Sequence, residues 1–151
     1  MKKLITILMV VASSTTISFA QSGTFALGVG SDMAGSSWQD YSLEPTVGYF
    51  IADNMLVGTG FTMESGDASS NKMEMSPFFR YYLSGSLYAM GGITMITEKD
   101  KDSTTDIDVG VGLSLMWNDK VAIEPSLGVA IGDEIMEIAL GIGINVRLGM
   151  D

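Results

Sequence analysis

Glycine alternates with apolar residues in four short stretches of this chain. They are Leu27-Gly28-Val29-Gly30, Val57-Gly58-Thr59-Gly60-Phe61, Val109-Gly110-Val111-Gly112-Leu113 and Leu140-Gly141-Ile142-Gly143-Ile144. Successive side chains of a β-strand point to opposite faces. Each stretch therefore puts bulk on one face and almost nothing on the other. The same period of two continues along most of the sequence and predicts eight strands, near residues 23–32, 39–50, 54–65, 72–83, 86–98, 104–117, 120–131 and 135–148.

One face of these strands carries the large apolar residues. On the second strand they are Tyr41, Leu43, Pro45, Val47 and Tyr49, and on the fourth Met73, Met75, Pro77, Phe79, Tyr81 and Leu83. On the sixth they are Ile107, Val109, Val111, Leu113, Leu115 and Trp117, and on the eighth Ile138, Leu140, Ile142, Ile144, Val146 and Leu148. The other face collects glycine, serine, threonine and Asn145, together with Glu44, Glu64, Glu74, Arg80, Asp106, Asp108, Glu124, Glu137 and Arg147. The fifth strand fits either phase because Gly91 and Gly92 interrupt its alternation.

A soluble barrel or sandwich would turn the apolar face inward, and a membrane barrel would turn it outward. The glycines separate the two. A solvated strand face has no reason to collect a residue that weakens strands. A narrow eight-strand lumen does, because its interior barely holds side chains. The reading is an all-β, eight-stranded antiparallel up-and-down transmembrane β-barrel. A soluble ligand-binding barrel in the periplasm is the weaker alternative.

The amino-terminal residues fit that reading. Lys2 and Lys3 precede an apolar run from Leu4 to Ala12, and small residues lead to Ser18-Phe19-Ala20. This is the pattern of a cleaved secretory signal peptide over residues 1–20. The run is too short for a spanning helix, which needs roughly 20 apolar residues. Residues 21–151 form one domain, and losing Lys2 and Lys3 makes a net charge of −10 more negative still. No basic patch is available to neutralise phosphates, so nucleic-acid binding is excluded. Cysteine is absent, so no disulfide supports the exported chain.

Connection lengths orient the barrel. The links near Ile51-Ala52-Asp53-Asn54, Ser84-Gly85 and Asn118-Asp119 are tight, whereas those from Asp32 to Asp40, Glu64 to Asn71 and Glu98 to Ser103 are longer and polar. Outer-membrane barrels have short periplasmic turns and longer outer loops. Tyr49, Phe50, Tyr81, Tyr82, Tyr88 and Trp117 lie within a few residues of the tight turns and are expected to form the periplasmic aromatic girdle. Trp38 and Tyr41 fall at the outer rim. Pro45, Pro77 and Pro125 lie at similar distances from the tight turns, which predicts a shared bend or bulge there.

The stretch from Glu44 to Gly58, with Ser76-Pro77-Phe78-Phe79-Arg80-Tyr81-Tyr82 and Ile123-Glu124-Pro125-Ser126-Leu127-Gly128, resembles the small outer-membrane β-barrel proteins of Bacteroidetes-type bacteria, within the OmpA-like and opacity-protein-like group. The resemblance covers essentially all of residues 21–151 and implies an outer-membrane location. Its motifs are architectural, and no catalytic residue carries over from it. The chain departs from such barrels at its end, Leu148-Gly149-Met150-Asp151, where they often carry a terminal aromatic residue.

The residues point away from catalysis. Histidine, the commonest general base and metal ligand, is absent. No Gly-x-Gly copy continues to a third glycine opening a helix, as a nucleotide loop requires. The expectation is a non-enzyme without a cofactor. Glu44, Arg80 and Glu124 share the inner face at comparable depth, with Arg147 nearer the periplasmic end. Buried charges need partners, so Arg80 is expected to bridge to Glu44 or Glu124 and to help fill the lumen. At the outer end Glu64, Glu98, Asp106 and Asp108 gather with Asp32, Asp40, Asp67, Asp100, Asp102, Asp133 and Glu134. They form an acidic rim whose carboxylate oxygens suit divalent cations. The expected partners are outer-membrane lipid and such cations, with the protein a monomer. Its role is then structural or interactive (envelope integrity, surface display or adhesion) or that of a narrow porin-like channel.

Overall fold

A computed structural model describes residues 22–32, 42–65, 71–98, 102–132 and 136–149. The predicted signal peptide, Trp38, Tyr41 and most of the residues linking strands at the outer end lie outside the described residues. The strands are β1 (Phe25–Asp32), β2 (Ser42–Ala52), β3 (Met55–Ser65), β4 (Asn71–Ser84), β5 (Leu87–Glu98), β6 (Thr104–Leu113), β7 (Leu115–Met116), β8 (Val121–Ile131) and β9 (Met136–Leu148). Sequence neighbours pair antiparallel except β6 and β7, which both pair with β8, and β1 pairs with β9, so the sheet closes on itself. β6 and β7 are one stave interrupted at Ser114. The result is a closed eight-stave, up-and-down barrel.

The interruption has a local cause. Arg147 N–H donates to the Lys120 carbonyl at 2.7 Å, so even-numbered residues of β8 bond to β9 and odd ones face β6 and β7. Pro125 is one of the odd ones and has no N–H to give. The ladder therefore passes from Gly112↔Ser126 to Leu115↔Ile123 without the rungs between. Ser114 turns inward, and Leu113, expected on the outer face, is buried. Pro77 acts in the same way on β4, where the ladder to β5 skips from Phe78↔Gly92 to Met75↔Met95. The three prolines remove rungs, and this is their common effect.

Alternation assigns the faces. Leu27, Val29, Val47, Val57, Phe79, Val109, Leu127, Leu140 and Ile144 are exposed around the whole outside of the barrel. Tyr88, Met90, Gly92 and Thr94 turn inward on β5, with Ile93 and Met95 outward, which fixes the phase that its glycine pair left open. The buried apolar cluster, Ala26, Phe50, Leu56, Tyr82 and Tyr88, lies inside the wall with Phe78 and Met90 packed on it. It occupies the end nearest the tight turns. One of those turns is held by Asn118, whose side-chain oxygen accepts from the N–H groups of Lys120 at 2.9 Å and Val121 at 2.8 Å.

Inward glycines give these side chains their space. A Cβ on Gly112 would run into the ring of Tyr88, itself fully buried. A Cβ on Gly58 would stand 2.6 Å from Phe78 Cζ and 2.6 Å from the Val47 carbonyl oxygen, and backbone cannot retreat. Gly30 faces open space. Gly58→Ala should therefore destabilise the barrel by about 1–3 kcal/mol, the usual range for overpacking. Gly30→Ala should shift stability by less than about 0.5 kcal/mol. Equilibrium unfolding in detergent micelles measures both, and equal effects would contradict the packing role.

Candidate functional site

The lumen has two storeys. The lower, toward the tight turns, is filled. Period-two alternation on β4 sends Phe78, Arg80 and Tyr82 inward, and on β9 it sends Asn145 and Arg147 inward. Arg80 Nη1 donates to Glu124 Oε2 at 2.6 Å, with the two side chains 13% and 4% exposed. Ser114 Oγ donates to Glu124 Oε1 at 2.9 Å, and Asn145 Nδ2 approaches Oε2 at 3.4 Å. Arg147 Nη2 donates to Ser114 Oγ at 3.0 Å. One carboxylate and one hydroxyl thus tie two guanidinium groups together across the barrel.

Aromatic rings complete the filling. The Arg80 guanidinium carbon lies 4.9 Å from the Phe78 ring centre and 4.8 Å from that of Tyr88. Arg147 lies 5.5 Å from Phe50 and 5.9 Å from Tyr82. Phe50 and Tyr82 are 5.7 Å apart, and Tyr82 and Tyr88 are 5.5 Å apart. A ring face attracts a cation most strongly where water is excluded. Ser114 faces inward by the same parity as Gly110 and Gly112, and its hydroxyl reaches both Glu124 and Arg147 there.

Above this layer the lumen opens into a cavity of about 490 Å³. Glu44, Glu74, Asp106, Asp108 and Glu137 line its walls, and Arg80 and Glu124 form its floor. The Thr94 hydroxyl donates to Asp108 Oδ2 at 2.6 Å and lies 3.2 Å from Ser76 Oγ. Among the described residues no three carboxylates gather closely enough to hold a metal ion. The chemistry of this upper storey is that of an acidic, hydrogen-bonding cup.

The structure places the expected residues as follows. Of the two acids expected near Arg80, Glu124 makes the ion pair. Glu44 leans over Gly60 on the cavity wall. Arg147 is buried in the lower layer. Asp106 and Asp108 face the cavity inside the wall, and Glu98 is half-buried at the outer end of β5. Glu64 pairs with Lys72 in the β3–β4 ladder, and its side chain lies outside the described residues, as do the outer links where divalent cations were expected.

The aromatic girdle needs correction. Tyr49, Tyr81 and Trp117 are exposed on the outer face, with Phe25 packed at 4.9 Å on Tyr49. Phe50, Tyr82 and Tyr88 are buried in the lumen instead. The reason is the period itself: in Tyr49-Phe50 and Tyr81-Tyr82, adjacent residues on a strand cannot share a face. That adjacency was the available signal for an internal aromatic layer.

No protein-family model and no curated protein matches the sequence. Solved structures do match. The N-terminal β-barrel domain of Pseudomonas aeruginosa OprF aligns over 85% of this chain and 100% of its own, at 14% identity and a TM-score of 0.64. The de novo designed TMB2.3 aligns over 86% of this chain and 98% of its own, at 13% identity and a TM-score of 0.59. The Yersinia pestis outer membrane protein Ail, in a phospholipid bilayer nanodisc, aligns over 84% and 100%, at 14% identity and a TM-score of 0.54. In fold, the chain is similar to these small β-barrels, two of them natural and one designed.

Proposed function

We propose that this chain is an exported outer-membrane barrel whose lumen is closed to ions, and that it acts through its structure and surface in envelope integrity, display or adhesion. The observation that carries the closed lumen is the Arg80–Glu124–Ser114–Arg147 network with four aromatic rings packed on it. The band of exposed apolar side chains around the barrel supports the membrane setting, because a soluble monomer rarely carries so large an apolar surface. Lipid is then its principal partner, and no catalytic step is assigned to the lumen.

A second reading is a narrow cation-preferring channel. The carboxylates of the upper cavity favour it, since a ring of acids draws cations into a pore. The filled floor of that cavity supports the closed reading over the channel.

Two measurements test this. The expressed protein should sediment with outer membranes and migrate differently on gels before and after boiling. Recovery in a soluble periplasmic fraction would contradict the membrane setting. Refolded into planar bilayers, the natural barrel should give no discrete current, while Arg80→Ala should give small cation-selective steps. Steady conductance from the natural protein would favour the channel.

A further inference from the structure

Methionine is unevenly placed on the outer face of the barrel. Among the described residues four methionines are exposed there, Met73, Met75, Met95 and Met136. All four stand toward the outer end, in the rungs nearest the longer links. Met75 pairs with Met95, and Met73 follows on the same face of β4. Met136 stands opposite Ile131 in the outermost rung of the β8–β9 ladder. The apolar face ends at this level, because Met73 lies opposite Thr97 and Met95 opposite Thr105, both exposed.

Toward the tight turns the exposed apolar residues are aliphatic or aromatic, as at Tyr49, Ile51, Val57, Tyr81 and Leu83. β-Branched and aromatic residues are the ones favoured on strands. Methionine brings a flexible arm and a thioether sulfur instead. Contact with lipid needs the arm and not the sulfur, so the sorting of sulfur to the outer end calls for its own reason. Two other methionines serve as comparisons. Met90 packs on the buried cluster inside the wall, and Met55 is half-buried beside the Asp53-Asn54 turn at the opposite end.

We infer that Met73, Met75, Met95 and Met136 form a modification site, oxidised to sulfoxides by hydroperoxides that reach the outer surface through water or through lipid. This rests on the membrane setting proposed above. The thioether sulfur attacks the terminal oxygen of the hydroperoxide, an S–O bond forms and the O–O bond breaks. The proton on the transferred oxygen passes to the departing one, which leaves as water from hydrogen peroxide or as an alcohol from a lipid hydroperoxide. Sulfur is oxidised by two electrons and the peroxide is reduced by two. Each sulfoxide puts a polar side chain where an apolar one stood. The top of the apolar face then moves from Met73 to Pro77 on β4 and from Met95 to Ile93 on β5, roughly 7–13 Å along the strands. The oxidised barrel thus fits a thinner bilayer than the reduced one.

The natural protein is refolded into phosphatidylcholine vesicles of a long and a short acyl length. Flotation and heat-shifted migration verify insertion first, so failure of the membrane setting is seen separately. One sample receives hydrogen peroxide in the water and another a phospholipid hydroperoxide in the bilayer, which separates the two sources. Peptide mass spectrometry follows oxidation at each methionine. The four outer methionines should oxidise at least tenfold faster than Met55 and Met90 in one or both samples. Fit to the bilayer gives a second readout. Oxidation should lower the denaturant midpoint at least twice as much in the long-chain vesicles as in the short-chain ones. Met73→Leu, Met75→Leu, Met95→Leu and Met136→Leu together conserve volume, and that variant should lose the response. Equal oxidation rates at the outer and the comparison methionines, the same loss in both vesicles, or a leucine variant that responds like the natural protein would overturn the inference.

Discussion

The interior of an eight-stave barrel is too narrow for a row of ordinary side chains from every strand, and this limit governs the rest of the structure. The alternating glycines are one response to it. The other is economy: the side chains that do enter are large, few and matched to one another. Gly112 yields to Tyr88, Gly58 to Phe78 and Gly60 to Glu44. The core of this protein is therefore assembled inside the wall, and the largest apolar surface is left outside.

Such an interior makes charge expensive unless every charge has company. Glu124 is the centre of that arrangement. It accepts from Arg80 and Ser114, and Ser114 in turn accepts from Arg147. The aromatic rings serve as the remaining solvation for both guanidinium groups. Proline enters the same logic from the backbone side. Pro125 removes rungs from this seam at the level of Ser114, whose inward hydroxyl bonds Glu124.

Much of this was legible in the residues. The period of two gave the strands, and the glycine face identified the interior. The tight turns Asp53-Asn54, Gly85-Ser86 and Asn118-Asp119 fell where turn residues stood. The pairing of Arg80 with an acid followed from shared face and depth, but the choice of Glu124 over Glu44 did not. It depends on closure, which brings β8 across from β4, and no local pattern encodes that distance. Nearness to the turns gives the depth of Phe50, Tyr82 and Tyr88, and strand parity alone gives the face on which they form an internal aromatic layer.

The central claim is that the Arg80–Glu124 pair acts as a unit that seals the lower lumen. A double-mutant cycle on the unfolding free energy, using Arg80→Ala, Glu124→Ala and the two together, measures it most directly. A buried, hydrogen-bonded pair predicts that each single change costs about 3–5 kcal/mol, and that the double variant is much less destabilised than the sum. Additive losses, or a coupling near the ~0.2–1 kcal/mol typical of an exposed ion pair, would contradict the account.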